Sequence, residues 1–238
     1  MRRVRTAWPA LLLLALVAAC VRPVALERPA TPAEAQALRA ALALRERMTR
    51  GLRISMSVRI AGGASPSALS SPAYLAVDPA GTIRLQVLSP FGMTVLDLTI
   101  IGRDYVLTLP VRNETKRGVV DLAALAAGND DPGNRMIVAL ALLFTPKTGD
   151  DCRVESTRTI SCPLGSGVTA HTTVDAQLRP ISERYTGAGG QLLFAAEFSD
   201  YGAVDALVPG RLEIHDPASD ARMVAKVARV RRAGDAAR

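Results

Sequence analysis

From Leu52 onward, apolar residues return at every second position. Ile54, Met56, Val58 and Ile60 alternate with Ser55, Ser57 and Arg59; Ile83, Leu85 and Val87 alternate with Arg84 and Gln86; Leu96, Leu98 and Ile100 alternate with Asp97 and Thr99; Tyr105, Leu107 and Leu109 follow. Successive side chains of a strand point to opposite faces, so this pattern describes strands with one face in a core and the other in water. The turn-forming strings Asp78-Pro79-Ala80-Gly81, Ser89-Pro90-Phe91-Gly92 and Gly102-Arg103-Asp104 separate these runs. The intervals are too short for helical crossovers, which leaves an antiparallel meander.

Before the strands, Thr31-Pro32-Ala33-Glu34 carries a capping-box threonine, proline at the first helical position and glutamate three residues after the cap. A helix is predicted from there to Gly51. Ala37, Leu38, Ala41, Leu42, Leu44 and Met48 lie along one side, opposite Arg39, Arg45, Glu46 and Arg47, so the helix needs a surface to lie on. Asp121 to Ala127 and Asn134 to Phe144 are alanine- and leucine-rich and read as helices covering the sheet. Strands resume at Arg153 to Ser156, Thr159 to Ser161, Val168 to Val174, Arg179 to Thr186, Gln191 to Ser199, Arg211 to His215 and Arg222 to Val230. The expectation is one mainly β domain of the α+β kind over residues 31–232, a strongly curved antiparallel sheet with helices against its inside. Such a sheet either closes into a filled barrel or leaves an apolar concavity beneath the helices.

The first twenty residues have a different character. Arg2, Arg3 and Arg5 precede an apolar run from Ala7 to Ala19, with small residues at Ala18 and Ala19, the anatomy of a secretory signal peptide over residues 1–19. The run is too short to span a bilayer comfortably. The net charge of +7 falls to +4 without those three arginines. At 49 % apolar the chain can build a core, and at 4 % aromatic it offers no stacking platform for single-stranded nucleic acid. Val21 to Ala30, with Pro23 and Pro29, reads as a spacer, and residues 233–238 as a basic tail. Lys226, Arg229, Arg231 and Arg232 either touch anionic headgroups or are a solvated terminus.

Catalytic chemistry finds little support. His171 sits in a threonine-rich strand and His215 before a turn, neither with a local nucleophile and carboxylate beside it. Asp130-Asp131 and Asp150-Asp151 admit a weak calcium site or plain solvated loop charge. Gly165 to Gly167 and Gly187 to Gly190 lack the context of a phosphate loop. The reading is a non-enzyme with no cofactor and no metal. Cys152 and Cys162 read either as a disulfide stapling a hairpin, as an oxidising compartment favours, or as two free thiols.

Leu16-Val17-Ala18-Ala19-Cys20 resembles the lipobox of bacterial lipoproteins, which implies that Cys20 is acylated and becomes the new N-terminus. Several acyl chains make such attachment effectively permanent. Val21 after the cysteine implies outer-membrane sorting, with the domain on the periplasmic face. Beyond this segment, the order of helix, meander, SPFG turn, helical insertion and closing strands resembles the superfamily of LolA, the periplasmic lipoprotein carrier, and LolB, its outer-membrane receptor. Three stretches carry the likeness: Arg84 to Gly92; Asn134 to Phe144, similar to a lid helix; and Phe198 to Ile214, with Tyr201, Pro209 and Leu212. The chain has fewer aromatics than LolB proteins usually place along the cavity, and its cysteine pair is foreign to the pattern.

The resemblance implies a half-open β-barrel with a helical lid, and a monomer that takes acyl chains of lipoproteins or a similar lipid from a LolA-like carrier. It implies a membrane-contacting loop at Pro90, Phe91 and Gly92, with the phenylalanine protruding; the other placement folds the ring back over the sheet edge. Strand alternation assigns inward faces to Ile54, Met56, Val58, Ile83, Leu85, Val87, Leu96, Leu98, Leu107 and Leu109, roofed by Ile137, Leu140 and Leu143. These side chains suit a lipid cavity and equally an ordinary core. A non-catalytic envelope scaffold that binds a protein partner is the alternative function.

Overall fold

Among the described residues, two antiparallel meanders joined side by side make a single sheet of thirteen strands. The first runs β1 (Leu52–Ala61), β2 (Ser70–Val77), β3 (Ile83–Leu88), β4 (Thr94–Ile101), β5 (Asp104–Leu109) and β6 (Glu114–Val119). The second runs β7 (Arg153–Val154), β8 (Thr159–Gly165), β9 (Val168–Val174), β10 (Pro180–Thr186), β11 (Leu192–Ser199), β12 (Arg211–Asp216) and β13 (Ala221–Arg232). The seam is the β1–β13 ladder, from Leu52 opposite Arg232 to Ala61 opposite Arg222. Among the described residues no ladder joins β6 to β7, so the sheet is open. This computed structural model describes residues 28–62, 70–128 and 131–232. Cys20, most of the expected tether, Asp130 and the 233–238 tail lie outside those residues.

Among the described residues three α-helices accompany the sheet: α1 (Pro32–Thr49), α2 (Leu122–Ala127) and α3 (Pro132–Leu143). None of them is long and apolar enough to cross a membrane. The capping box that predicts α1 forms as expected: the Thr31 amide donates to Glu34 at 2.9 Å and the Glu34 amide to Thr31 Oγ1 at 3.4 Å. The Arg28 guanidinium, followed by the Thr31 amide and hydroxyl, holds the Glu34 carboxyl down to about 2. Helix α2 starts at Asp121, which accepts from the Ala123 and Ala124 amides, and stops at Gly128 in the left-handed region. Asp131 caps α3 in the same way through the Gly133 and Asn134 amides. That role absorbs a carboxylate that the sequence had left open to calcium.

The apolar side of α1 rests on a small cluster of its own. Leu38 and Leu42 pack with Cys152, Ile160, Cys162 and Val174. Cys152 and Cys162 are joined as a disulfide beside the β7–β8 pair Arg153–Ser161, so the staple crosses the hairpin and supplies part of the helix's bed. The Arg39 guanidinium donates to the Cys152 carbonyl at 2.7 Å, tying the helix to the same turn.

Helix α3 is different. Ile137 through Leu142 are all buried, and the helix packs inside the main core with Leu85, Leu98, Ile100, Tyr185 and Ile214. A helix that is apolar all round belongs in an interior. A bidentate pair fixes it: Arg135 Nε and Nη2 reach the Asp216 carboxylate at 2.9 and 2.7 Å, and Nη2 also donates to the Leu193 carbonyl at 2.9 Å.

Candidate functional site

Where α3 ends, the core does not close. The last turn of α3 and the residues after it, the second half of α1, and the starts of β1 and β12 leave a hollow of about 200 Å³. Leu52, Ile54, Met56, Leu75, Val77, Leu143, Phe144, Phe198, Val208, Pro209, Leu212, Ala225 and Val227 give it an almost wholly apolar wall. The alternation that makes strands also makes this wall: Leu52, Ile54 and Met56 share one face of β1, and Ala225 opposite Val58 continues it into β13.

Glu46, Thr49, Thr145 and Thr148 add polar atoms to the lining, the Thr148 hydroxyl donating to Glu46 at 3.2 Å, and two further polar places are more elaborate. One is buried: Lys147 Nζ lies 3.1 Å from Glu183 and donates to the Leu143 carbonyl at 3.2 Å, placing a cation at the C-terminal end of α3, where the helix dipole favours it. The Tyr185 hydroxyl donates to the same carboxylate, and its ring stacks on Phe194 with centroids 4.2 Å apart. Burial first, then the Glu183 charge, push the Tyr185 hydroxyl well above its ordinary pKa, so it stays a neutral donor. Thr172, opposite Glu183 on the β9–β10 ladder, also lines the hollow, and its buried hydroxyl has no hydrogen-bond partner among the described residues.

The second polar place is half-buried. Arg45 and Arg179 lie on the Tyr201 ring, each 4.9 Å from its centroid. The Tyr201 hydroxyl donates to the Pro180 carbonyl at 2.7 Å, and burial pushes it up to about 12. Arg45 also donates to the Leu207 carbonyl. The loop after β11 is thereby clamped over the hollow by α1.

Of the thirteen residues read as facing or roofing a lipid cavity, Ile54, Met56 and Leu143 line this one. Val58, Leu85, Leu98, Ile137 and Leu140 are packed in the main core, Val87, Leu96 and Leu107 are half-buried against it, and Leu109 is half-buried. The physical reason is α3: it occupies the space beneath which a roofed concavity was expected, and the room left over lies beyond its C-terminus. Ile83 is likewise in the core. Phe198, Tyr201, Pro209 and Leu212, quoted for the family likeness, all line it. Sequence reasoning passed over Leu75, Val77, Ala225, Val227 and the Lys147–Glu183 pair.

The Pro90–Gly92 tip stands at the opposite end of the strands. Its turn closes through the Gly92 amide to the Ser89 carbonyl at 2.9 Å and the Ser89 amide to the Met93 carbonyl at 2.8 Å. Proline presets the backbone at the first corner, and Gly92 at φ +82° takes the left-handed position that a side chain resists. The ring of Phe91 is 88 % exposed and Met93 beside it 60 % exposed, so the ring does not fold back.

His171 and His215 lie on the other face of the sheet, 3.5 Å from Glu155 and Asp220. Among the described residues no group of three His, Cys, Asp or Glu side chains could hold a metal ion.

No protein-family model matches the chain, and no curated protein matches it either. Solved structures do. A putative outer-membrane lipoprotein-sorting protein domain from Vibrio parahaemolyticus superposes with a TM-score of 0.57 at 12 % identity, covering 85 % of this chain and 93 % of that one. A LolA superfamily protein from Nitrosomonas europaea gives 0.55 at 12 % identity, covering 84 % and 93 %. A DUF1329 family protein from Desulfovibrio piger gives 0.55 at 14 % identity, with the same coverages. At such identities the likeness speaks for architecture: the chain has a mainly β, LolA-like fold.

Proposed function

We propose that this protein is a lipid-anchored outer-membrane lipoprotein of the LolB-like class, which accepts an acyl chain of a lipoprotein or similar lipid and passes it to the membrane. The observation that carries the reading is the apolar hollow beyond α3. A largely apolar wall with a few fixed polar places is the composition of a small-molecule site. Its volume of about 200 Å³ corresponds to roughly half a dozen groups of water or methylene size at ~30 Å³ each. It therefore takes the end of one hydrocarbon tail, and a longer stretch enters only if α1 or the Tyr201 loop moves outward. Cys20 supplies the anchor, a LolA-like periplasmic carrier hands over the cargo, and Phe91 with Met93 meets the bilayer.

The extent of α3 burial favours a second reading, a non-catalytic envelope scaffold that binds a protein partner. A titration separates the two. The unacylated chain from residue 21, which contains every described element, is expected to bind a fluorescent fatty acid saturably. Leu212→Trp, a half-buried lining position, is expected to weaken that binding at least tenfold, about 1.4 kcal/mol, with the circular dichroism spectrum unchanged. Absence of saturable binding by the unmodified chain would leave the scaffold.

A further inference from the structure

The outer face of the β1–β13 seam carries a row of cations that no carboxylate among the described residues pairs with. Arg53 stands directly opposite Arg231, Ser55 opposite Arg229, Ser57 opposite Lys226 and Ala61 opposite Arg222, while Arg59 continues the face on β1. All six basic side chains are exposed, and none has an acidic partner among the described residues. The acids nearest to them across the sheet are engaged elsewhere: Asp97 holds Arg84 at 2.6 Å and Glu213 holds Arg211 at 2.8 Å. Arg232, one residue beyond, turns to Asp205 at 2.9 Å. Further carboxylates lie on this face: Glu197, two strands away on β11 opposite Glu213, and Glu155 and Asp220, each 3.5 Å from a histidine, His171 and His215.

Like charges directly across a ladder destabilise a sheet, and the Arg53–Arg231 pair sits with Arg229 on the rim of one depression. Ser55, Tyr74, Arg84 and Gln86 also line it, with Ile54, Leu75 and Ala76 at its floor. From Arg53 to Arg59 the row runs about 20 Å along the strand. Tyr74, 49 % exposed, is the one aromatic ring in the depression. A protein interface is built around an apolar centre depleted of charge, which this face lacks. A leaflet of phosphate headgroups requires only coulombic contact and tolerates a tyrosine at headgroup depth.

We infer that the outer face of the β1–β13 seam is a docking surface for an anionic lipid leaflet, with Arg53, Arg229 and Arg231 as its centre. This goes beyond cargo binding and does not depend on the hollow. In such a pose the domain lies with this face toward the bilayer, and the Phe91 tip is at the far end of the strands from Arg53 and Arg231.

Vesicle sedimentation tests it. The unacylated chain from residue 21 is expected to bind phosphatidylcholine vesicles containing phosphatidylglycerol, to lose that binding as salt shortens the Debye length, and to ignore phosphatidylcholine alone. The triple variant Arg53→Gln, Arg229→Gln, Arg231→Gln is expected to bind about 10- to 100-fold more weakly, with fatty-acid binding unchanged because the hollow opens on the other face. Equal binding by the triple variant, or equal binding to neutral vesicles, overturns the inference. So does displacement by glycerol phosphate at matched phosphate concentration, which would assign the depression to a free anion. The variant Phe91→Glu keeps the arginines, so loss of the anionic preference there would place the contact at the tip instead.

Discussion

Asp216→Ala is expected to destabilise the protein by about 3–5 kcal/mol, because it leaves the Arg135 guanidinium buried and uncompensated. Both side chains are almost fully buried, at 6 % and 4 % exposure. The carboxylate also accepts from Ser219 Oγ at 2.7 Å and the Ala218 amide at 3.1 Å, so the substitution releases the turn before β13 as well as the start of α3. Urea unfolding followed by circular dichroism reads the loss as a shift in midpoint at unchanged slope. Arg135→Met, which removes the charge and keeps an apolar stem, is expected to cost less by itself and to recover part of the loss when combined with Asp216→Leu. Equal stability of Asp216→Ala and the unmodified protein would contradict the role given to this pair.

The same pair sets a direction with pH. Burial raises the Asp216 carboxyl, and the bonds from Arg135, Ser219 and the Ala218 amide outweigh it, leaving the group below its ordinary value. A carboxyl depressed in the folded state contributes stability above its unfolded pKa of about 3.9 and loses that contribution as pH falls through the lower folded value. Acid should therefore release α3 from β12 only below about pH 4, and the Asp216→Ala variant should lack that part of the acid transition.

The second large effect belongs to the hairpin tip. With the Phe91 ring 88 % exposed, Phe91→Glu should leave stability within about 0.5 kcal/mol. Burying an aromatic ring in hydrocarbon is worth roughly 1.5–3 kcal/mol, and a carboxylate forfeits all of it. Transfer of a bound acyl ligand from the protein to liposomes is expected to slow by about 10- to 100-fold, while binding in solution is unchanged. Unfolding of the variant, or transfer at the normal rate, contradicts the assignment of the tip to the membrane.

How much of this was legible beforehand depends on how local the signal is. The α1 start was fully visible because Thr31, Pro32 and Glu34 act within one turn. The ladders of β1, β3, β4 and β5 were visible because each has one wet face. β2 was not, because Ser70-Ser71-Pro72 reads as a break; Pro72 is accommodated where β2 has its β1 neighbour, opposite Ser57, but no β3 partner, since that pairing begins at Ala73. β6 is a sheet edge whose Lys116 and Arg117 carry charge in place of alternation. Alternation told which face of each strand is covered but not by what, so the space filled by α3 and the space left beyond it looked alike. The pairs Arg135–Asp216 and Lys147–Glu183 join residues far apart in sequence, and nothing near either member announces the other.

The central claim is that the hollow beyond α3 holds hydrocarbon. Lipid extraction from the unacylated chain from residue 21, purified from the cell envelope and analysed by mass spectrometry, tests it most directly. The account predicts acyl lipid in an amount comparable with the protein, and its loss in Leu212→Trp. Protein free of lipid, or lipid retained equally by that variant, would contradict it.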